Sequence, residues 1–349
     1  MDVKAYAAPA PGAPLVPTTI ARRDLGPDDI LIEIKYAGIC HSDIHQGREE
    51  WGQGMIFPMV PGHEIAGVVT EIGSNVTKFK VGDHAGVGCF VDSCRECVNC
   101  KAGYDHYCLG HSVSTYNGVE KDMTTPTYGG YSTHIVMDEN YALHIPESLD
   151  LAKAAPLLCA GVTTYSPLSH WNVGPGKKVA VVGLGGLGHM GLKIAKAMGA
   201  EVTLISHSPN KEEDAKRLGA DHFLLSTDKD AWRAARYSFD FILNTVSVNI
   251  NVDRYMGLLG LHGVMCMVGV PTEPLSVQTG SIVSSQKSLV GSGIGSIRET
   301  QEMLNFCAEH DLGSEIEIIN IQDVNEAWDR VVASDVKFRF VIDIASLNK

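Results

Sequence analysis

The chain has 349 residues, of which 44% are hydrophobic, and this length and composition are typical of a folded protein with about two domains. Its 28 basic residues against 41 acidic ones give a formal net charge of −13, which argues against a nucleic acid as a partner. No secretory leader is apparent, nor is any apolar run of the roughly 20 residues that cross a bilayer, so we expect a cytoplasmic protein without a membrane partner.

Residues 1–153 predict a domain made mainly of short β-strands. The stretch "DILIEIKY" (29–36) alternates, with its isoleucines on one face. Turn residues bracket further apolar runs at short intervals, such as "IAGVVTEI" (65–72). This pattern is typical of strands packed as a barrel or a sandwich. Residues 295–349 return to mixed helix and strand, and we expect them to rejoin this domain.

Four of the nine cysteines are clustered in "CRECVNCKAGYDHYC", with the spacing C-x2-C-x2-C-x7-C. In a reducing compartment such a cluster favours metal ligation over disulfides, and the odd total argues against complete pairing. Four thiolates on a short loop close a tetrahedral shell around Zn²⁺ and leave no position for water, which is typical of a structural site. An iron–sulfur cluster is the less favoured alternative, because the sequence has no second cysteine cluster. The predicted ligands of the structural zinc are Cys94, Cys97, Cys100 and Cys108.

Three other stretches hold residues that can bind a second metal ion. They are "GICHSDIH" with Cys40, "VPGHEIAG" with His63 and Glu64, and "LLCAG" with Cys159. Two thiolates and one imidazole form an open zinc shell, which leaves a fourth position for water or substrate, as in catalytic sites. Gly67 stands where the H-E-x-x-H motif needs its second histidine, so a zincin protease is excluded. Taken one at a time, the two cysteines are more typical of core thiols than of ligands.

Residues 154–294 predict a second domain in which strands alternate with helices. This alternation is typical of a parallel, doubly wound sheet, so the fold class is α/β. The run "VAVVGLGGLG" places three glycines in G-x-G-x-x-G spacing after a strand and at the start of a helix. The first permits a tight turn, the second admits a pyrophosphate and the third lets helix and strand pack closely, so a plain glycine-rich turn is disfavoured. The predicted dinucleotide loop comprises Gly183, Leu184, Gly185, Gly186, Leu187 and Gly188.

The next predicted strand ends at Ser206, about 20 residues beyond the glycines, where an NAD-specific site would place an acidic residue on the ribose 2′-hydroxyl. A hydroxyl there removes the repulsive carboxylate, and His207, Ser208 and Lys211 supply donors for a 2′-phosphate. These four residues predict a preference for NADP(H) over NAD(H). In the alternative interpretation Ser208 caps a helix and Lys211 is a surface charge, and the two interpretations are compatible.

Over nearly the whole chain, these motifs stand in the order seen in zinc-dependent medium-chain alcohol dehydrogenases. The segments "PGHEIAGVVTEIG", "PLLCAGVTTYSPL" and "GLGGLGHM" are similar to the cinnamyl alcohol dehydrogenase subgroup and its bacterial NADPH-dependent aldehyde reductases. The resemblance implies a GroES-like catalytic domain (1–153 and 295–349), a Rossmann domain (154–294), a deep cleft between them, and a homodimer. It also implies zinc-dependent, reversible reduction of aldehydes to primary alcohols by hydride transfer from NADPH, an activity of EC 1.1.1 type.

The same resemblance implies roles for individual residues. The positions that match ligands of a catalytic zinc are Cys40, His63 and Cys159. Glu64 resembles an acid beside the metal that can replace water on it, and His41 lies where a cationic side chain faces the pyrophosphate. Ser42 and His45 resemble a relay that passes the alcohol proton through the nicotinamide ribose to solvent. The positions that match contacts to the nicotinamide half are Thr163, Thr245, Val246, Val268 and Ser292.

Three features depart from the family pattern, and one of them is His84, which replaces the arginine common after "VGD". His207 stands where several relatives carry arginine, and the segment "QGREEWGQGMIFPM" (46–59), which we expect to border the substrate pocket, is the least family-like part. The open Cys₂His set separates this interpretation from two others, a zinc-free quinone or enoyl reductase of the same superfamily and a nucleotide-sensing regulatory protein. Neither of these needs a metal ion with a vacant coordination position.

Overall fold

The chain forms two structural units, and the second is inserted into the first. The structure is a computed structural model that describes residues 1–271 and 273–349. One unit comprises Met1–Cys159 together with Gly295–Lys349, and the other comprises Ala160–Ile294. The chain therefore enters the second unit directly after Cys159 and returns to the first at Gly295.

Short strands dominate the first unit, whereas helices and strands alternate in the second. The elements up to Cys159 are β1 (Asp2–Ala7), β2 (Val16–Ala21), β3 (Asp29–Gly38), α1 (His41–Gly47), β4 (Ile65–Ile72), β5 (His84–Val87), β6 (Phe90–Asp92), α2 (Val98–Lys101), β7 (Val113–Ser114), β8 (His134–Asp138), β9 (Leu143–His144) and α3 (Leu151–Ala154). The elements of the second unit are α4 (Ala160–His170), β10 (Lys178–Val182), α5 (Gly186–Ala197), β11 (Glu201–Ser206), α6 (Glu212–Arg217), β12 (His222–Leu225), α7 (Lys229–Ala234), β13 (Phe239–Asn244), α8 (Val252–Met256), β14 (Leu259–Met267), α9 (Thr279–Val283) and β15 (Ser288–Gly291). The elements after Gly295 are α10 (Ile297–Glu309), β16 (Ile316–Asn320), α11 (Val324–Val332) and β17 (Arg339–Asp343). Throughout the described residues, no helix combines the length and the apolar character needed to cross a membrane.

The main sheet of the first unit has the strand order β16-β17-β3-β4-β5-β9, and β8 also pairs with β3. Ile30, Ile32 and Ile34 of β3 are buried, as the alternation predicts, and Leu31 on the other face is buried as well. β17 pairs with β3 in an antiparallel register, so residues from the two ends of the chain share one sheet. This pairing places β17 next to the strand that leads into α1.

The second unit contains a parallel sheet with the strand order β12-β11-β10-β13-β14-β15. Counted from β10 as the first strand, this order is 3-2-1-4-5-6, the arrangement of a doubly wound dinucleotide-binding fold. The apolar residues of β10 and β13 are buried, because helices cover a parallel sheet on both faces. The α/β architecture predicted from the alternating pattern is confirmed.

The helix α10 begins at a capping box formed by Ser296 and Glu299. The Ser296 hydroxyl accepts a hydrogen bond from Glu299 N–H at 3.1 Å, and the Glu299 carboxylate accepts one from Ser296 N–H at 2.9 Å. The next backbone N–H, that of Ile297, donates to Asp105 at 3.3 Å. The start of α10 is therefore joined to the cysteine-rich stretch that contains Asp105.

Candidate active site

Cys40 lies at the N-terminus of α1, two residues after the long strand β3. The helix begins there because the Asp43 carboxylate, three residues later, accepts a hydrogen bond from Cys40 N–H at 2.9 Å. Cys40 itself has an extended backbone, with φ −105° and ψ 150°. Both side chains are buried. The local sequence thus fixes this thiol at the start of a short helix.

His63 and Glu64 follow a tight turn at Gly62, whose φ is +105°. A Cβ atom at Gly62 would lie 2.8 Å from the Tyr131 ring and 2.9 Å from Gly130 N, so only glycine fits this position. Gly130 N–H donates a hydrogen bond to the Gly62 carbonyl at 2.9 Å. The glycine-rich turn before Tyr131 therefore supports the backbone that presents His63 and Glu64.

Four residues from three distant segments meet in one cluster in the first unit. A ligand atom from each lies within 4.8 Å of the ligand atoms of the other three, and all four residues are buried. The two sulfur atoms are 3.9 Å apart. The three proposed zinc ligands and the acid beside them are thus brought together. We call this set the buried cluster, and its members are Cys40, His63, Glu64 and Cys159.

Asp43 orients the imidazole of the buried cluster. Its carboxylate lies 3.3 Å from Nδ1 of His63, and it also accepts hydrogen bonds from Gly62 N–H and the Tyr131 hydroxyl, each at 3.2 Å. An acidic partner on one ring nitrogen of a metal-binding histidine fixes the ring and leaves the other nitrogen for the metal. Asp43 was not among the residues predicted from the sequence, although a position three residues after Cys40 is typical of a capping residue.

Glu64 is fully buried, and its two carboxylate oxygens differ. Oε1 accepts a hydrogen bond from Arg339, whereas Oε2 has no partner among the described residues. Burial raises the pKa of Glu64 to about 8, and Arg339 acts in the opposite direction. A Cβ atom at Gly38 would overlap Oε2, so this glycine makes room for the carboxylate. Arg339 belongs to β17, 275 residues away in sequence, and no local pattern could have identified it.

The pKa values of the two thiols in the buried cluster are shifted in opposite directions. Hydrogen bonding with Cys159 lowers the pKa of Cys40 well below its usual value, and the same contact raises the pKa of Cys159. Hydrogen bonding with Cys159 also lowers the pKa of Cys89, a thiol that the sequence analysis did not single out. Zinc binds thiolates and neutral imidazole, and its affinity depends on their deprotonation. Two sulfurs, an oriented imidazole and a carboxylate oxygen that has no other partner in the described part of the chain therefore fit Zn²⁺.

The predicted proton-relay residues lie on α1, beside the buried cluster. Ser42 Oγ is 3.5 Å from the Cys40 sulfur. The His45 ring stacks against both His41 and Trp51, with 4.9 Å between ring centroids in each pair. Residues 41–45 thus form a short row of polar groups that begins at the cluster.

His45 makes its polar contact with Glu50, which the sequence analysis missed. The distance from His45 Nδ1 to Glu50 Oε2 is 2.5 Å. Because a carboxylate only accepts hydrogen bonds, Nδ1 carries the hydrogen, and Nε2 of the neutral ring is left as the acceptor. Glu50 lies in the segment 46–59, where no family motif drew attention to it.

The four-cysteine stretch also forms a compact set of ligands. A sulfur atom from each residue lies within 4.8 Å of the other three, and the residues are half-buried. Backbone N–H groups of Cys100 and Leu109 donate to the Cys97 sulfur at 3.5 and 3.4 Å and lower the pKa of Cys97 to about 6. Such hydrogen bonds favour thiolates, so the set fits a closed four-sulfur zinc site. We call it the cysteine loop, and its members are Cys94, Cys97, Cys100 and Cys108.

The three motif glycines of the second unit occupy different environments. Gly183 follows β10 with φ +90°, a conformation that favours glycine. A Cβ atom at Gly188 would overlap the Gly183 carbonyl, whereas a Cβ atom at Gly185 would meet no atom of the described residues within 4 Å. The space at Gly185 and the start of α5 suit a pyrophosphate. The residues that complete this turn are Leu184, Gly186 and Leu187.

Four of the five predicted nicotinamide-contacting residues lie at the carboxyl ends of strands in the parallel sheet. Thr245, Val268 and Ser292 directly follow β13, β14 and β15, at the carboxyl ends where such folds bind ligands. Val246 lies so close to Gly183 that a Cβ atom there would be 2.5 Å from it. Thr163 is buried in α4, and in the part of the chain that the structure describes its hydroxyl has no partner.

The residues predicted to select NADP(H) lie at the end of β11. Ser206 ends the strand, and its hydroxyl accepts a hydrogen bond from Ser208 N–H at 3.1 Å. His207 is exposed, and Lys211 ends a turn of 3₁₀ helix that starts at Pro209. Within the described residues the Ser208 side chain makes no capping hydrogen bond to that turn. Ser208 therefore occupies the N-cap position, as the alternative interpretation states, but its hydroxyl does not cap the helix.

Two family models match this chain. Residues 26–147 match the alcohol dehydrogenase GroES-like domain, and residues 186–309 match the zinc-binding dehydrogenase domain. The first match contains the cysteine loop and most of the buried cluster, and the second contains the residues at the end of β11.

Similar proteins match over almost the full length. NADP-dependent alcohol dehydrogenase C 1 of Mycolicibacterium smegmatis is 59% identical over 99% of this chain and 99% of its own. Aldehyde reductase YahK of Escherichia coli is 50% identical over 100% of both chains. The solved structure of a cinnamyl alcohol dehydrogenase from Sorghum bicolor has a TM-score of 0.95 and 44% identity, and the match covers 99% of this chain and 98% of that chain.

Proposed function

Because this chain belongs to the zinc-binding alcohol dehydrogenase family, we propose that it reduces aldehydes to primary alcohols with NADPH and also catalyses the reverse reaction. The family predicted from the motifs is confirmed, and relatives named as an NADP-dependent alcohol dehydrogenase and an aldehyde reductase support this activity. The observation that carries the proposal is the convergence of two thiols, an imidazole and a carboxylate in the buried cluster. A zinc-free reductase or a nucleotide sensor would have no use for it.

We assign the catalytic zinc to Cys40, His63 and Cys159, with Glu64 beside it, and the structural zinc to the cysteine loop. A zinc ion held by the buried cluster would supply Lewis-acid activation of the aldehyde, and bound NADPH would supply the hydride. Asp43 keeps the His63 ring in one orientation through its contact with Nδ1. Burial of all four members excludes bulk water, which strengthens electrostatic interactions at this point.

Proton movement is assigned to Ser42 and His45. The Ser42 hydroxyl, 3.5 Å from the Cys40 sulfur, holds a proton next to the buried cluster. His45 lies three residues further along α1, on the same side of the helix. Since Glu50 accepts the Nδ1 hydrogen, Nε2 is the nitrogen that takes up or releases a proton.

We assign NADP(H) binding to three groups of residues in the second unit and one residue of α1. The glycine loop and the start of α5 hold the pyrophosphate, and His41 contributes from α1. The end of β11 holds the 2′-phosphate through Ser206, His207, Ser208 and Lys211. The residues assigned to the nicotinamide half are Thr163, Thr245, Val246, Val268 and Ser292.

The test is an assay of NADPH against NADH with a panel of aliphatic and aromatic aldehydes, together with elemental analysis of the purified protein. We expect turnover that is faster with NADPH and about two zinc ions per chain, one for each ligand set. NADPH binding without turnover of any aldehyde would support the nucleotide-sensor alternative. Full activity in zinc-free protein would support a zinc-free reductase.

We further propose that the enzyme is a homodimer. β15 is an edge strand of the parallel sheet, and an edge strand presents backbone N–H and C=O groups that a second chain can pair with. Light scattering coupled to size-exclusion chromatography should give twice the monomer mass of 37.5 kDa. A mass of one chain at micromolar concentration would contradict this assembly.

The nine free cysteines support a location in the cytoplasm, where a reducing environment keeps thiols available for zinc. Fractionation of cells that express the protein should recover it with cytoplasmic markers. Recovery from an oxidising compartment would contradict this assignment.

A further inference from the structure

The Asn117 side chain connects two ends of one loop. Its Oδ1 accepts a hydrogen bond from Ile56 N–H at 2.7 Å, and its Nδ2 donates to Gln46 Oε1 at 2.8 Å and contacts the Met55 sulfur. These partners are 61 to 71 residues away in sequence. One amide thus holds the start and the end of residues 46–57, which we call the variable loop.

The backbone at Asn117 makes this connection possible. Its φ is +55°, in the left-handed region that asparagine tolerates better than most other residues. The variable loop has its own internal support from Glu49, whose carboxylate accepts hydrogen bonds from Gly54 N–H at 2.9 Å and Met55 N–H at 3.4 Å. Among the residues that the structure describes, none apart from the adjacent ones lies within 4 Å of a Cβ atom built at Gly52 or Gly54, so the tip of the loop depends on its anchors.

The anchored loop lies beside the assigned catalytic residues. Tyr116, which precedes Asn117, stacks on the His63 ring with 5.8 Å between centroids. The variable loop starts at the last turn of α1 and carries Glu50 and Trp51, which contact His45. Asn117 therefore connects to the metal ligand His63 through its neighbour Tyr116, and to the relay residue His45 through the variable loop.

We propose that Asn117 is a positioning residue for substrate selection, which holds the variable loop as one wall of the aldehyde site. The proposal rests on the proposed function and goes further by identifying what determines selectivity. The loop presents Trp51, Met55, Ile56 and Phe57, so its wall is apolar and partly aromatic. A bulky aldehyde substituent reaches this wall, whereas the carbonyl group of a short aldehyde needs only the metal ligands and the relay.

Two substitutions at Asn117 test the contribution of its side-chain hydrogen bonds separately from that of its left-handed backbone conformation. Asn117→Gly keeps the left-handed conformation accessible and removes both hydrogen bonds, whereas Asn117→Asp keeps the acceptor for Ile56 N–H and removes the donor to Gln46. Asn172→Gly is the matched control, because Asn172 is an exposed asparagine with φ +51° in the second unit. All variants are assayed as full-length, zinc-loaded enzyme with NADPH and with benzaldehyde or acetaldehyde.

We expect kcat/KM for benzaldehyde to fall about tenfold or more in Asn117→Gly, mainly through KM, because two hydrogen bonds of ordinary strength are lost. The value for acetaldehyde and the KM for NADPH should stay within about threefold, and Asn117→Asp should show a smaller loss in the same direction. In hydrogen exchange, the peptide that contains Ile56 should lose protection in Asn117→Gly. Asn172→Gly should change none of these values.

An unchanged ratio of kcat/KM for the two aldehydes would overturn the assignment of Asn117. Unchanged hydrogen-exchange protection of the peptide that contains Ile56 would also overturn it. If Asn117→Gly does not fold, the selectivity of Asn117→Asp decides the question. A wild-type enzyme that reduces neither aldehyde would instead contradict the proposed function, and the exchange measurement would still test the anchor.

Discussion

The buried cluster and the cysteine loop use the same kinds of ligand but are built in different ways. The cysteine loop draws its four sulfurs from 15 consecutive residues that are half-buried. The buried cluster draws its ligands from positions 40, 63, 64 and 159, and it buries all of them. A contiguous site needs only a short loop to fold around its metal, whereas a dispersed site depends on the packing of a whole domain. This difference agrees with the roles that we propose, a structural zinc site in the cysteine loop and a catalytic one in the buried cluster.

The largest effect is expected from Cys159→Ser, which removes one ligand from the buried cluster. We expect kcat to fall by about 10³-fold or more, because loss of Lewis-acid activation costs several kcal/mol in the transition state. Elemental analysis should show about one zinc fewer per chain. Cys307→Ala is the control, since Cys307 is a fully buried thiol of the same unit outside both ligand sets. Turnover within tenfold of wild type would contradict the division of roles.

The converse substitution, Cys97→Ser, should affect stability more than chemistry. It removes the sulfur that accepts hydrogen bonds from Cys100 and Leu109 and opens the four-sulfur set. We expect the melting temperature to fall by about 5 °C or more, at about 2–4 °C per kcal/mol for a unit of this size. Below that temperature, kcat per zinc of the buried cluster should stay within about threefold of wild type. Calorimetry and assays on the same sample would check both values. A large loss of kcat in fully folded protein would contradict a purely structural role for the cysteine loop.

A medium effect is expected from Asp43→Asn, which tests whether packing around the buried cluster tunes its ligands. The substitution replaces one of the two Asp43 carboxylate oxygens with an NH₂ group. One of these oxygens contacts His63 and accepts from Gly62 N–H, and the other accepts from Cys40 N–H. Loss of such an acidic partner costs about 10–100-fold in metal affinity or activity. Zinc affinity measured by competition with a chelator, together with kcat/KM, checks this value. Asp230→Asn, at an exposed position, should have no effect on either quantity.

The smallest effect is expected from Glu50→Gln, at the solvent-exposed end of the relay that we propose. Because Glu50 is partly exposed, its contact with His45 contributes little to stability, and we expect a loss of about three- to tenfold in kcat with an unchanged melting temperature. Added imidazole should restore part of the rate if proton transfer through His45 is impaired. Glu147→Gln, an exposed substitution away from α1, serves as the control. A normal rate in Glu50→Gln would exclude the carboxylate from the relay.

Features that depend on neighbours in sequence were predictable. The alternation of strands and helices predicted the parallel sheet. The spacing of three glycines predicted the dinucleotide loop, in which the surroundings of Gly183, Gly185 and Gly188 differ. The contacts of Arg339 with Glu64 and of Glu50 with His45 were not predictable in this way. The first needs the pairing of β17 with β3, and the second needs the path of a loop without a family motif. Pairing and loop path follow from the packing of the entire unit.

The sequence by itself determined the family and the cofactor class, and it supplied the side chains that we propose as zinc ligands, because the spacing of such residues and of glycines is a local property of the chain. Only the tertiary structure decided which side chains surround those ligands: Asp43 on His63, Arg339 on one oxygen of Glu64, and Asn117 across the variable loop. These contacts join residues up to 275 positions apart. Their existence depends on strand register and on the space that glycines such as Gly38 leave free, neither of which is written in a short motif.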